Sequence, residues 1–543
     1  MTALILLQAR TNSSRLPGKV LLPIEGVPVV VLAALRAGNT GHRVLVVTSC
    51  EPSDDTLCAV LAQWDVEYFR GDLVNTLKRF VDAINTVPDE QVVVRLTGDN
   101  VVPDGAFIDG LLEDFKKRNL DYLCAMSGAS GLPYGVSGEV TRAGYLRDAH
   151  RQATTGFDRE HVTPKIIERF GRTHFEHYSH LGMAQYRCTV DTLDDFLLVC
   201  RLFEGLAKPE QIPLYRLLER LRRLSPDVVT TRPAKRMVLG SAQFGLAYGI
   251  TNASGRPTQS QVNAIVHSAI SNGVQYIDTA RAYGESEQVL GAALSGGWDS
   301  RAIIITKLSP LDECPPDATP DGVKAYVEQS IYKSCHALGV KSLDVLMLHR
   351  AQHLTSWQGA VWQCLYELKQ QNLLNRLGVS VQSPEEAILA LDYEAVEFIQ
   401  LPFNILDHRW DAVIEKISRV RDHRPLVIHA RSALLQGLLT TSNVDLWQQA
   451  CCSNATEILR WLRGKADLHA DGDVIDLSLK YVFSQDWVDG VVIGVDTRKQ
   501  LTDNLAKITN ENWSEVELRA ISENRPHVSA AMLNPAEWGR QHA

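Results

Sequence analysis

The chain has 543 residues, enough for roughly two to four folding units. A net charge of -9, a pI near 6.0 and the lack of a basic face argue against nucleic acid as a partner. Apolar content of 45% and charged content of 22% are ordinary for a globular enzyme, and no apolar run is long enough to span a bilayer. None of the ten cysteines forms a C-x-x-C pair, although Cys451 and Cys452 are adjacent. That pattern fits reduced thiols in a cytoplasm better than zinc or a disulfide framework. Residues 1–10 carry a short apolar run with no basic flank or cleavage site, which reads as a buried strand.

From residue 4 to about 206, short apolar runs alternate with amphipathic stretches. Strands are expected at residues 4–7, 44–48 and 92–96, and helices at 28–37, 54–63 and 73–84. Alternation of this kind predicts a doubly wound α/β domain, a parallel sheet with helices on both faces. The first strand runs into Gln8-Ala9-Arg10-Thr11-Asn12-Ser13-Ser14-Arg15-Leu16-Pro17-Gly18-Lys19. A loop in that place borders the ligand crevice of such a sheet. Its small residues admit phosphate to backbone N–H groups, and Arg10, Arg15 and Lys19 supply positive charge. The Walker A spacing is absent. Two aspartates end later apolar runs, Asp99 in Arg95-Leu96-Thr97-Gly98-Asp99 and Asp191 in Cys188-Thr189-Val190-Asp191. Paired carboxylates beside a phosphate loop suggest Mg²⁺.

A basic stretch from residue 216 to 223 reads as a solvated helix face. Ser225-Pro226 and residues 230–236 follow, and the boundary between a domain of residues 1–228 and one of 236–543 is placed there. From residue 237 onward eight strands are expected, at 237–239, 274–277, 302–306, 343–347, 376–379, 396–400, 426–429 and 490–493. Most precede a helical stretch, and eight such units match a (β/α)8 TIM barrel, whose chemistry sits just after each strand. Asp278 and Tyr283 follow the second strand, Lys307 ends the third and His349 ends the fourth. Carbonyl reduction needs a hydride on carbon and a proton on oxygen. Tyr283 can donate the proton, Lys307 stabilise the phenolate, Asp278 hold Lys307 charged, and His349 orient the carbonyl oxygen.

The C-terminal half, over about residues 236–510, resembles the aldo-keto reductases. The resemblance rests on Leu239-Gly240-Ser241-Ala242-Gln243-Phe244-Gly245, on Asp278 through Tyr283-Gly284-Glu285-Ser286-Glu287, and on Leu348-His349. It implies NADP or NAD held without a Rossmann domain. Gln243, in the opening motif, is carried to the cofactor side. Ser380 and Gln400 match positions that hold the nicotinamide amide. Gly494, Arg498, Gln500 and Asn504 match the pyrophosphate and adenosine end, at a helix start. Arg431 stands where the family stacks an aromatic ring on the nicotinamide, and a guanidinium can also stack. Asp496 stands where many members carry a base for the 2′-phosphate, with Arg498 as its possible replacement.

Residues 1–205 resemble the cytidylyltransferases of the spore-coat polysaccharide and acylneuraminate or ketodeoxyoctonate type. The carrying residues are Gln8-Ala9-Arg10 through Lys19, Gly98-Asp99, Arg159-Glu160-His161-Val162-Thr163-Pro164 and Val190-Asp191-Thr192. The resemblance implies CTP, Mg²⁺ and a sugar or sugar-acid acceptor. Ala9 and Arg10 are carried to substrate binding, with Arg10, Arg15 and Lys19 on the triphosphate, and Asp99 and Asp191 on the metal. Glu139 and His161 are carried to the sugar side, with a structural role for His161 as an equal alternative. Asn100 departs from the small or acidic residue of relatives.

Together these readings predict a bifunctional enzyme of surface-glycan sugar metabolism. One half would transfer cytidylyl from CTP to a sugar. The other would interconvert carbonyl and alcohol on a sugar-like substrate. The alternatives are one active half beside a nicotinamide-binding redox sensor, or a scaffold. A homo-oligomer is left open.

Overall fold

The computed structural model describes residues 3–13, 15–126, 129–225, 228, 234–252, 255–508 and 512–538. Ser14 of the cationic loop and much of the boundary segment 225–236 lie outside them. The chain forms two units, Met1–Arg232 and Pro233–Ala543, each with its own apolar core.

The first unit is built on a six-stranded sheet. Its strands are β1 (Leu4–Gln8), β4 (Arg43–Ser49), β5 (Tyr68–Gly71), β6 (Val92–Thr97), β7 (Leu123–Ala125) and β8 (Gly138–Arg142), and a small hairpin of β2 (Pro23–Ile24) and β3 (Val27–Pro28) stands apart. The order is β5-β4-β1-β6-β8-β7. Strand β1 is apolar at every residue from Leu4 to Leu7 because helices cover both faces. Ile5 and Leu7 pack into one core with the helices Val29–Ala37 and Gly105–Lys117. Leu4 and Leu6 pack into the opposite core with Leu77 and Phe80 of the helix Thr76–Ala83. The basic run falls on the helix Leu214–Leu224, which buries Leu214, Leu217, Leu218 and Leu221 and turns Arg216, Arg222 and Arg223 to solvent.

The sheet is mixed, not wholly parallel as the alternation predicts. Strand β8 runs antiparallel to both β6 and β7. The reason is the link between β7 and β8: its described residues hold no helix, and a parallel return needs a crossover.

The second unit closes into a barrel of eight parallel strands: β9 (Met237–Gly240), β10 (Tyr276–Asp278), β11 (Ile303–Lys307), β12 (Leu343–Leu348), β13 (Leu374–Ser380), β14 (Phe398–Pro402), β15 (Val427–Arg431) and β16 (Gly490–Gly494). These are the eight predicted strands. Several begin or end a residue or two later than expected, and that shift matters. Asp278, Lys307, Ser380, Arg431 and Gly494 become the last residues of their strands, and His349 follows β12 directly, so all face the C-terminal rim. No described helix is long and apolar enough to cross a membrane.

Below the rim the barrel is filled by Ile305, Val345, Met347 and Phe398. Among them sits His429, 1% exposed, edge-on to Tyr276 and Phe398 at centroid distances of 5.0 and 5.3 Å. Burial, with Arg376 and Lys307 nearby, pushes its imidazole down to about 3. His353, in the turn Ala351–Leu354, is as deeply buried and is pushed down to about 4, by burial and then by Arg350. Both are neutral when folded. The unfolded chain binds protons at these histidines from about pH 6.5 downward, while the folded chain does not until far lower pH. Barrel stability therefore falls as pH drops from 6.5 towards 4, by about 1.4 kcal/mol per pH unit for each histidine. Urea unfolding followed by tryptophan fluorescence checks this, since nine of the ten tryptophans follow residue 233. The expected loss between pH 7 and pH 5 is about 2 kcal/mol per histidine, and His429→Leu should remove its share. A pH-independent midpoint would refute neutral burial.

Candidate active sites

In the first unit, the residues at the C-terminal ends of β1 and β6 border a cleft of about 410 Å³. Gln8, Ala9, Arg10, Arg15, Lys19, Asp99 and Asp191 all line it. Three backbone features bring them together. Gly98 donates its N–H to Gln8 O at 2.7 Å, and a Cβ on Gly98 would lie 2.9 Å from that of Ala9, so only glycine lets the exit of β6 lie against the loop. Asp99 O accepts from Val190 N at 2.9 Å, which sets Asp191 beside Asp99. Lys19 then donates to Asp99 Oδ2 at 2.7 Å and Asp191 Oδ1 at 2.8 Å. Burial works against the Lys19 charge, but Asp99 and Asp191 overcome it and hold the ammonium above its ordinary range. Burial likewise disfavours the Asp191 carboxylate, yet Lys19, Arg15 and Arg187 keep it below the usual range. Arg15 Nη2 reaches Asp191 Oδ1 at 3.2 Å, and Arg187 Nη2 reaches Oδ2 at 2.7 Å. Arg10 is exposed at the edge of the cleft.

Two sequence-derived residues fall elsewhere. The Glu139 carboxylate is taken up by Arg95, by the Tyr122 hydroxyl at 2.5 Å and by the Thr163 hydroxyl at 2.7 Å. Arg95, first among these partners, holds it below its usual range against the opposing effect of burial. It braces the sheet and does not line the cleft. His161 is exposed, its ring 4.3 Å from that of Phe157, and it also stands outside the lining. Asn100 donates from Nδ2 to Thr97 Oγ1 and Ser137 Oγ, so it serves the turn after β6.

One residue was missed. Asp54, 1% exposed, accepts from Thr11 N at 2.8 Å, Thr11 Oγ1 at 2.7 Å, Thr48 Oγ1 at 3.0 Å and Ser49 N at 3.2 Å, and Ser49 Oγ also donates to it. Those donors outweigh burial and hold its carboxyl low. Asp54 thus ties the cationic loop to the end of β4. The only sequence signal was an aspartate at a helix start, which is common.

In the barrel, the four proposed catalytic groups meet at the rim. Lys307, fully buried, donates to both Asp278 oxygens at 2.8 Å and to Thr279 O at 2.9 Å. Burial opposes its charge, but Asp278 and Tyr283 hold the ammonium above its ordinary range. Its Nζ lies 5.0 Å from the centre of the Tyr283 ring. Tyr283 meets His349 edge-on at 5.8 Å. Burial, then Lys307 and Arg431, push His349 down to about 3, so it is neutral. Gln400 Nε2 donates to Asp278 Oδ1 at 2.8 Å. Gly245 explains the glycine of the opening motif: a Cβ there would lie 1.8 Å from Tyr283 O, so the two rim loops pack only across glycine.

Two cavities meet above these groups, sharing Tyr248, Tyr283, Arg431 and Gln436. The longer groove, about 900 Å³, runs from Gln243, Asp278 and Gln400 past Gly494 and Gln500 to Asn504. The smaller pocket, about 360 Å³, holds His349 and Ser380. Arg498 is exposed and does not line the groove. The far end of the groove is acidic instead, with Asp471, Asp473, Asp476, Asp496 and Asp503 against Lys507, which pairs with Asp473. Gln500 Oε1 accepts from Asp496 N and Thr497 N, closing the helix start.

Comparison with known proteins divides the chain the same way. The aldo/keto reductase family model matches residues 236–524, and the cytidylyltransferase model matches residues 4–222. Spore coat polysaccharide biosynthesis protein SpsF of Bacillus subtilis (strain 168) is 31% identical over 42% of this chain and 98% of its own length. An uncharacterised protein of Methanocaldococcus jannaschii is 32% identical over 36% of this chain and 81% of its own length. The uncharacterised oxidoreductase YqkF of Bacillus subtilis (strain 168) is 23% identical over 48% of this chain and 85% of its own length.

Asp54→Ala strands several buried donors at once. Thermal or urea unfolding of the first unit should show a loss of about 2–4 kcal/mol, whereas Arg15→Ala, on a half-exposed chain, should cost under about 1 kcal/mol. Equal stabilities would remove Asp54 from its anchoring role.

Proposed function

The chain belongs to the cytidylyltransferase family over residues 4–222 and to the aldo/keto reductase family over residues 236–524, and we propose that it joins two steps of sugar metabolism in one polypeptide. The first domain, residues 1–228, transfers cytidylyl from CTP to a sugar or sugar acid. The second, residues 236–543, interconverts carbonyl and alcohol on a sugar-like substrate with a nicotinamide cofactor. The sugar reading draws support from the polysaccharide role in the name of the Bacillus relative.

The observation that carries the first half is the convergence of Asp99 and Asp191 beside Lys19, Arg15 and Arg10. Among the described residues no cluster of three or more metal-ligating side chains exists. Two carboxylates suit Mg²⁺ when substrate phosphate completes its shell. When bound, the ion neutralises charge on the triphosphate. Lys19 then turns from the carboxylates to phosphate, and Arg10 and Arg15 stabilise the departing pyrophosphate. CTP should release pyrophosphate only with an acceptor present, and Asp99→Ala should lower the rate at least about 100-fold. No release across a broad sugar panel, with Asp99→Ala indistinguishable from the parent, would refute this.

The second half rests on the contact of Lys307, Asp278, Tyr283 and His349. Gln400 Oε1 is buried without a partner among the described residues, an acceptor suited to a carboxamide N–H. The bound cofactor supplies hydride to the carbonyl carbon. The Tyr283 hydroxyl gives its proton to the carbonyl oxygen, and the Lys307 ammonium stabilises the phenolate that remains. Asp278 keeps that ammonium in place. Neutral His349 holds the carbonyl oxygen through an N–H. The acid-lined end of the groove favours NADH, since carboxylates accept from a ribose 2′-hydroxyl and repel a 2′-phosphate. Fluorescence titration should find NADH bound about tenfold or more tighter than NADPH. Tyr283→Phe should cut reduction by about 10²–10⁴ while NADH still binds. Tighter NADPH would overturn the NADH preference, and no binding of either would overturn this half.

A further inference from the structure

Arg431 ends β15 at the junction of the two barrel cavities and lines both. Its Nη2 donates to Val381 O at 3.1 Å and to Gln382 Oε1 at 2.6 Å, and Nη1 lies 3.5 Å from Ser432 Oγ. Every one of these partners is neutral. No described carboxylate lies within ion-pair distance of it, whereas other arginines after barrel strands have one: Arg350 pairs with Asp312, Arg281 with Glu287 and Arg409 with Asp407. A guanidinium fixed by two neutral acceptors, with its charge unanswered, is a preorganised anion receptor.

Its surroundings bear on whose anion it receives. Arg431 shares the smaller pocket with Tyr283 and His349, whereas Gly494, on the neighbouring strand, and the helix start after it border only the groove. The smaller pocket is more polar than apolar. Gln352, Ser380, Gln382 and Asn534 line it with Arg350 and with Glu386, whose carboxylate accepts from Gln382 N, and its apolar surface comes from the Tyr248 and Tyr283 rings and from small residues such as Ala351 and Val381. Gln382 Nε2 and His349 Nδ1 are buried there without a partner among the described residues. A carbonyl oxygen answers His349, but an aromatic or aliphatic compound with no further polar group would leave Gln382 Nε2 unsatisfied.

We infer that the reductase pocket takes a hydroxylated carbonyl substrate bearing an oxyanion, a carboxylate or a phosphate monoester, and that Arg431 binds that oxyanion. The inference rests on the reductase reading of the barrel. The shared chemistry is a set of terminal oxygens matched to the guanidinium fork. The hydroxyls of the same molecule satisfy Gln382 and its neighbours.

The test measures equilibrium binding, so it stands apart from turnover. The full chain is titrated calorimetrically with three unreactive probes, D-gluconate, D-glucitol 6-phosphate and neutral D-glucitol, with and without NADH. At least one anion should bind about 10–100-fold tighter than D-glucitol, and which one separates carboxylate from phosphate. Arg431→Met should abolish that advantage, and Arg431→Lys should restore only part of it, because an ammonium lacks the fork. Equal binding of all three probes overturns the inference, as does an advantage that survives Arg431→Met. Loss of NADH affinity in Arg431→Met with anion preference intact would assign Arg431 to the cofactor and also overturn it. Failure of the underlying reading is distinct: probes bind as expected, but D-glucuronate and D-glucose 6-phosphate are never reduced.

Discussion

The barrel site depends on an ammonium kept charged although its side chain is buried. Lys307 is fully buried, and burial alone would strip its proton. Both oxygens of Asp278 and the carbonyl of Thr279 answer it, and Gln400 steadies Asp278 from the far side. A buried pair of this kind adds little to stability compared with apolar packing, and removing either partner is costly. Its retention makes sense through its neighbours: the charge lies against Tyr283 and, with burial, keeps His349 neutral. One ion pair thus lies against the Tyr283 ring and adds to the burial that keeps His349 neutral.

The first unit solves a related problem in another way. There the cation is Lys19, and two carboxylates from distant stretches of chain converge on it. A single backbone hydrogen bond from Val190 to Asp99 brings those stretches together, and Gly98 gives the loop room to approach. Charge is balanced before any nucleotide arrives. The cleft lining holds Arg10, Arg15 and Lys19 against Asp99 and Asp191, a one-charge cationic excess that favours a polyanion.

Much of this was legible in the sequence. The barrel strands announced themselves as apolar runs ending in polar residues, and because the C-terminal ends of parallel strands share a rim, order along the chain placed Asp278, Lys307 and His349 together. What stayed hidden was decided by pairing. Glu139 looked available until Arg95, Tyr122 and Thr163 claimed it, and Arg498 looked like an anchor until the helix turned it outward. Asp54 carried no pattern, because its donors come from residues 5, 6 and 43 positions away. The antiparallel turn of β8 was likewise set by a missing crossover helix, which periodicity does not report.

Two separately packed units on one chain have a consequence for supply. The cytidylyltransferase and reductase units are translated together, so their copy numbers are locked at one to one whatever the demand on either. Neither can be raised without the other. A lesion that unfolds one core also exposes its partner to quality control, because a protease that engages the unfolded half holds the folded one on the same polypeptide. Selection on the stability of each unit is therefore shared by both.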